Sequence, residues 1–143
     1  MTVRKIPGEL PVRFRYTPGV ANTTFFEALR DRGVLLGSRC SSCAVTYLPA
    51  RLFCERCFAE LTADVECGPE GTVESWTVGH VGVDDDPLDP PVILALVKLD
   101  GADTVLMHHL ASDGTPAIGM RVRAIVRDDR SGSINDLEGF VPV

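Results

Sequence analysis

The stretch RCSSCAVTYLPARLFCERC, residues 39–57, holds four cysteines in two matched pairs, Cys40-x-x-Cys43 and Cys54-x-x-Cys57, with ten residues between them. In each pair a tight turn aims both thiolates at one point. Two such knuckles facing each other form the tetrahedral four-sulfur cage that Zn²⁺ accepts without strain. The intervening residues are too few to bury a core, so metal binding supplies the folding energy, on the order of 10 kcal/mol for such sites. Four protein ligands close the site. The metal is then structural and offers no open position for Lewis-acid chemistry.

Other uses of paired cysteines fit less well. Rubredoxin-type electron carriers hold iron with the same ligands, but their knuckles continue with Gly and carry Pro inside the second pair. Here that pair reads Cys54-Glu55-Arg56-Cys57-Phe58. A thioredoxin-type motif uses one pair at a helix start. The opening MTVRKIPGEL lacks the apolar run of an export signal, so the expectation is a reducing, cytoplasmic compartment, where paired cysteines bind metal. Cys67 lies outside the pattern and reads as a small buried hydrophobe.

Working outward, residues 1–22 carry Pro7, Gly8, Pro11, Pro18 and Gly19 and read as an extended arm. Thr24 and Glu27 form a capping-box pattern. Gly33 suits a left-handed helix end, and Phe25, Ala28 and Leu29 share one face. These predict a short amphipathic helix over residues 24–33 that packs on its own domain. Downstream, Val73–Val83, PVILALVKL (91–99), Thr104–Leu110, the alternating Met120–Arg127 and Phe140–Val143 read as strands. Asp100-Gly101-Ala102-Asp103 is turn chemistry, and the Asp84–Asp86 run with Asp89 reads as a solvated loop. Five strands with short connections predict a small closed or partly open barrel. The expected fold is mainly β: arm and helix (1–38), metal ribbon (39–66), barrel (67–143).

Composition narrows the function. Apolar residues at 45% allow a packed core, and 24% charged residues are typical of a globular chain. A net charge of −6 weighs against broad attraction to nucleic acid or anionic membrane. The longest apolar run, Pro90–Val97, is too short to span a bilayer. No nucleophile-elbow, phosphate-loop, dinucleotide or HExxH motif occurs. His80, His108 and His109 have no evident nucleophile beside them, so no catalytic residue is assigned. Arg39, Arg51 and Arg56 put positive charge around the ribbon of an acidic chain. That charge either meets a phosphate or balances thiolates and carboxylates.

In sequence order, TTFFEALRDRGVLLGSRCSSCAVTYLPARLFCERC, GTVESWTVGHV, PPVILALVKLDGADTVLMHHL and IGMRVRAIV resemble the zinc-ribbon/OB-fold family known as domain of unknown function thirty-five, over residues 22–128. The chain departs from the family pattern at Ala50, where a second Pro is usual before Arg51, and at Ala44, where Gly often follows the first knuckle. Neither position is a ligand. The resemblance implies a rubredoxin-like zinc ribbon held by Cys40, Cys43, Cys54 and Cys57, followed by a five-stranded OB-fold barrel. It also implies a non-catalytic accessory subunit of a thiolase-like enzyme, either an acyltransferase or a lipid-transfer-type aldolase that shortens steroid side chains. By that resemblance Arg39, Arg51 and Arg56 lie near the CoA part of an acyl-CoA thioester. Phe25, Phe26, Leu29, Trp76 and His80 are the candidate partner contacts. The other readings are a free-standing acyl-CoA-binding protein, a stand-alone thioester enzyme, and a nucleic-acid module. For the last, the barrel offers few aromatics to stack bases, and its stripe Arg121, Arg123, Arg127 and Arg130 is partly offset by Asp128 and Asp129.

Overall fold

A computed structural model describes residues 7–8 and 12–143. The remaining arm residues of the predicted 1–22 segment lie outside the described residues. Helix α1 runs Gly19–Arg32, beginning five residues before the predicted start. Pro18 sets the turn into the helix, with φ −68°, and a proline is tolerated where a helix has no N–H to satisfy. The reading of residues 19–22 as part of an extended arm is therefore corrected. The predicted capping box is absent too: Thr24 sits mid-helix and its Oγ1 donates to the Val20 carbonyl at 3.0 Å. The C-terminus is as predicted. Gly33 takes φ 68° and its N–H bonds the Leu29 carbonyl.

Two sheets follow. In the first, β1 (Leu35–Arg39) lies between β2 (Thr46–Tyr47) and β3 (Ala63–Cys67), both antiparallel to it. The second contains β4 (Glu70–Val81), β5 (Pro87–Leu99), β6 (Leu106–His109), β7 (Arg121–Val126) and β8 (Leu137–Pro142), in the order β6-β5-β4-β7-β8. A parallel bridge from Leu110 to Phe140 brings its two edge strands together and closes the barrel. The closure needs Gly139: with φ 152°, a Cβ there would stand 2.8 Å from the His109 carbonyl oxygen. All five predicted barrel strands are present. β5, however, reaches back to Pro87, through Pro90 and Pro91. Pro87 is the first residue of the strand, and Pro90 and Pro91 fall where the β4–β5 register shifts, between the Gly79–Val92 and Val81–Pro87 pairs, both positions at which a strand tolerates proline.

The helix, ribbon sheet and barrel share one core. Phe25, Ala28 and Leu29 of α1 and Leu35, Leu36 and Leu48 of the ribbon pack with Val73, Val97, Val122, Leu137 and Phe140 of the barrel. A smaller cluster of Cys40, Val45, Tyr47, Cys54 and Leu61 sits at the ribbon's far end. A turn between β5 and β6 staples the ribbon to the barrel. Asp103 Oδ2 accepts from the Thr46 N–H at 2.8 Å, and its own N–H donates to the Thr46 carbonyl at 2.9 Å. Thr104 Oγ1 accepts from the Leu48 N–H at 2.7 Å and donates to the Leu48 carbonyl at 2.8 Å. No described helix is long and apolar enough to cross a membrane.

Candidate metal centre

Both knuckles have the same backbone plan. The Cys40 N–H bonds the Val45 carbonyl at 2.8 Å, and the Cys54 N–H bonds the Ala59 carbonyl at 2.9 Å. The residue after each pair turns left-handed: Ala44 at φ 56° and Phe58 at φ 59°. The two loops aim their thiols at a common point. The sulfurs of Cys40, Cys43, Cys54 and Cys57 all lie within 4.8 Å of one another, and those of Cys40 and Cys57 are 3.6 Å apart. A tetrahedron of zinc–sulfur bonds separates its sulfurs by about 3.8 Å, so the cage fits the ion with little movement.

The surroundings complete that fit. The Cys43 N–H reaches Cys40 Sγ at 3.4 Å. Tyr47, almost fully buried, places its hydroxyl 3.4 Å from Cys54 Sγ and accepts from the Glu55 N–H at 3.2 Å. The Tyr47 hydroxyl, aided by nearby backbone N–H groups, pulls the Cys54 thiol down to about 6. Hydrogen bonding to Cys57, together with burial, pushes the Cys43 thiol up to about 12. Clustered sulfurs resist ionising together until a cation neutralises them, and a closed four-thiolate set of this kind holds structural zinc.

The arginines are dispersed. Arg39 Nη1 donates to Thr46 Oγ1 at 3.1 Å. Arg51 pairs with Glu55 and lies over the Tyr47 ring, 5.0 Å from its centre. The fully buried Ser38 anchors its backbone, accepting from the Arg51 N–H at 2.9 Å and donating to its carbonyl at 3.0 Å. Arg56 has no ion-pair partner among the described residues. Arg51 alone borders a cavity of about 290 Å³ that it shares with the first turn of α1, Gly19 to Asn22. On the barrel, Arg121 grips Asp100 with two bonds of 2.8 and 2.7 Å, and Arg123 holds Glu70 at 2.6 Å. These pairs neutralise two of the four arginines of that stripe.

The candidate partner contacts divide. Phe25 and Leu29 are 1% and 0% exposed. They are core residues, as their shared helical face predicts, and the expectation drawn from the family resemblance that they meet a partner is corrected. The helix presents them inward because the barrel and ribbon supply the apolar face that its stripe requires. Phe26 is half-buried against Phe25, edge to face at 5.3 Å. Trp76 is half-buried and His80 exposed, both on β4. Sequence reasoning missed Tyr47, Ser38, Asp103 and Thr104, whose partners are distant in sequence or only backbone atoms. It also missed Asp136, which has a readable sign: Ser133-x-x-Asp136 is a capping box, observed here.

Comparison with known proteins agrees with this geometry. Residues 28–62 match the family model described as the ChsH2 rubredoxin-like zinc ribbon domain, and residues 64–127 match the ChsH2 C-terminal OB-fold domain. A DUF35 domain-containing scaffold protein of Methanocaldococcus jannaschii is 27% identical over 103 residues, 69% of this chain and 72% of the relative. The crystal structure of a DUF35-family protein from Sulfolobus solfataricus superposes with a TM-score of 0.69 at 25% identity, covering 87% of each chain. A chain of a solved Ltp2-ChsH2(DUF35) aldolase superposes with a TM-score of 0.65 at 26% identity, covering 90% of this chain and 98% of that one.

Proposed function

The chain belongs to the DUF35 family, a ChsH2-type zinc ribbon joined to an OB-fold, and on that premise we propose that it is the non-catalytic accessory subunit of a thiolase-like enzyme and helps hold that enzyme's acyl-CoA substrate. The observation that carries the reading is its likeness to the aldolase component, 98% of which it covers. The chain's own chemistry supports the same reading: the zinc cage is closed by four thiolates, which suits a scaffold more than a reacting centre. A native pull-down of the full chain with mass spectrometry tests it. A thiolase-like protein in near-equal amount is the expected result. A solitary protein overturns it and favours the free-standing acyl-CoA binder.

The thioester contact is the finer part of the proposal. Arg51 borders the cavity at the N-terminus of α1, whose first turn holds no acidic residue and no side-chain cap. Free N–H groups and the helix dipole favour a phosphate there, and Arg51 can exchange Glu55 for it. Arg39 and Arg56 do not border that cavity, so the phosphate contact rests on Arg51. In the complex, Arg51→Ala is expected to weaken thioester binding about tenfold, the loss of one charge-assisted contact. Unchanged affinity removes the thioester role while leaving the scaffold role standing.

A further inference from the structure

β4 and β5 are far longer than the strands beside them. β7 pairs with β4 only at Glu70–Thr72, and β6 pairs with β5 only at Leu94–Val97. The distal half of this hairpin therefore stands beyond the barrel as a two-stranded ribbon, an arrangement marginal in water by itself.

Its two edges are unlike. The β5 edge carries exposed Pro87, Pro90 and Pro91, which lack an N–H and block strand addition. The β4 edge, Ser75-Trp76-Thr77-Val78-Gly79-His80-Val81, has no proline, lysine or arginine and is rich in strand formers. Trp76 and Val78 are half-buried; Thr77, His80 and Val81 are exposed. The last backbone bonds on that side are at Val73, whose N–H donates to the Met120 carbonyl and whose carbonyl accepts from Gly119. Beyond Val73, no described element adds a backbone bond along that edge. Register shifts bound the stretch at Val73/Ser75 and Gly79/Val81; between them the edge is regular, and a regular edge without proline or lysine is a template for another strand.

Charge decides whose strand it is. From Glu74 to Val97 the hairpin carries Glu74, the Asp84–Asp86 run and Asp89, with no Lys or Arg. A second copy pairing along β4 would set two acidic arms side by side. We propose that the β4 edge Ser75–Val81 takes up a β-strand of the thiolase-like partner, flanked in that partner by Lys or Arg. Main-chain bonds supply the affinity, and the acidic hairpin tip orients the encounter. This inference rests on the accessory-subunit reading.

The test is amide hydrogen exchange on the full chain, free and in complex with the co-purified thiolase-like enzyme. In the complex, exchange across residues 75–81 is expected to slow by at least about tenfold, while the amides of Leu88, Asp89 and Val92 are unchanged. Added salt and the double variant Asp84→Lys/Asp86→Lys both weaken the complex several-fold. Thr77→Pro and Val78→Pro bracket the two N–H directions of the strand. The one that keeps zinc and the wild-type melting temperature is edge-facing, and it is expected to weaken the complex about tenfold or more. A complex that forms with no protection at residues 75–81 overturns this edge assignment and leaves the accessory role intact. Failure to bind any thiolase-like enzyme overturns both. Concentration-dependent protection in the isolated chain overturns the heterologous strand in favour of a second copy.

Discussion

Phe58 combines two costs: its backbone is left-handed at φ 59° and its side chain is 78% exposed. A bulky residue there costs about 1 kcal/mol or more relative to a relaxed backbone. The knuckle imposes that conformation, since the Phe58 N–H must reach the Cys54 carbonyl at 2.9 Å. Phe58→Gly is therefore expected to raise stability by up to about 1 kcal/mol, read as a higher denaturation midpoint with zinc content unchanged. Asp136 is the opposite case, a charge built into the fold. It is 2% exposed. It accepts from the N–H groups of Ser131, Gly132 and Ser133 and from the Ser131 hydroxyl. Burial alone would raise its carboxyl. The converging donors outweigh burial and hold it below the ordinary aspartate range. Its stabilisation is present above the unfolded-state value of about 3.9 and is lost as pH falls through the lower folded value. Asp136→Asn is expected to cost about 2 kcal/mol at neutral pH and to flatten the acid limb of a stability–pH curve.

At the scale of elements, the short β5–β6 turn joins the ribbon to the barrel. Thr104 alone satisfies both backbone groups of Leu48. Thr104→Val keeps the shape and orphans both groups, so a loss of about 2 kcal/mol is expected, seen in denaturant melts with zinc retained. Barrel closure depends on Gly139 in the same way. Gly139→Ala would drive a Cβ to 2.8 Å from the His109 carbonyl oxygen. It is expected to expose the Leu110–Phe140 bridge to hydrogen exchange and lower the melting temperature. By contrast, the Arg121–Asp100 and Arg123–Glu70 pairs are substantially exposed. Truncating either arginine is expected to leave the denaturation midpoint nearly unchanged.

Across the whole molecule, the metal centre and the main core are separate reserves of stability. The zinc-end cluster of Val45, Tyr47 and Leu61 is small, whereas the main core spans helix, ribbon sheet and barrel. Removing zinc with a chelator, or replacing Cys54 with Ala, is expected to unfold residues 40–61 first. Amides of β5 and β7 at Ala95–Leu99 and Val122–Ala124 keep their protection. Metal analysis with hydrogen exchange reads both outcomes. Loss of β5 and β7 protection together with the ribbon would show that the zinc holds the whole fold. Such a division suits a scaffold that carries a metal-fixed knuckle on a rigid barrel.

What the sequence determined by itself is the local chemistry. The ligands were legible because CxxC spacing fixes two thiolates within one turn. The barrel strands were legible because Met120–Arg127 alternates with period two and PVILALVKL is a continuous apolar run of strand length. The helix end at Gly33 was legible because a left-handed residue must stand there. The helix start was not, since Thr24 and Glu27 match a capping box wherever they occur, and only packing showed the first turn to lie at Pro18 and Gly19. Tertiary structure alone decided that Asp103 and Thr104 hold the ribbon from 56 or 57 residues away, and that Pro87, Pro90 and Pro91 guard one edge while Ser75–Val81 stands open. Each of these depends on which surfaces meet, and a chain's neighbours in space are set by the closure of the barrel, which no short window of sequence contains.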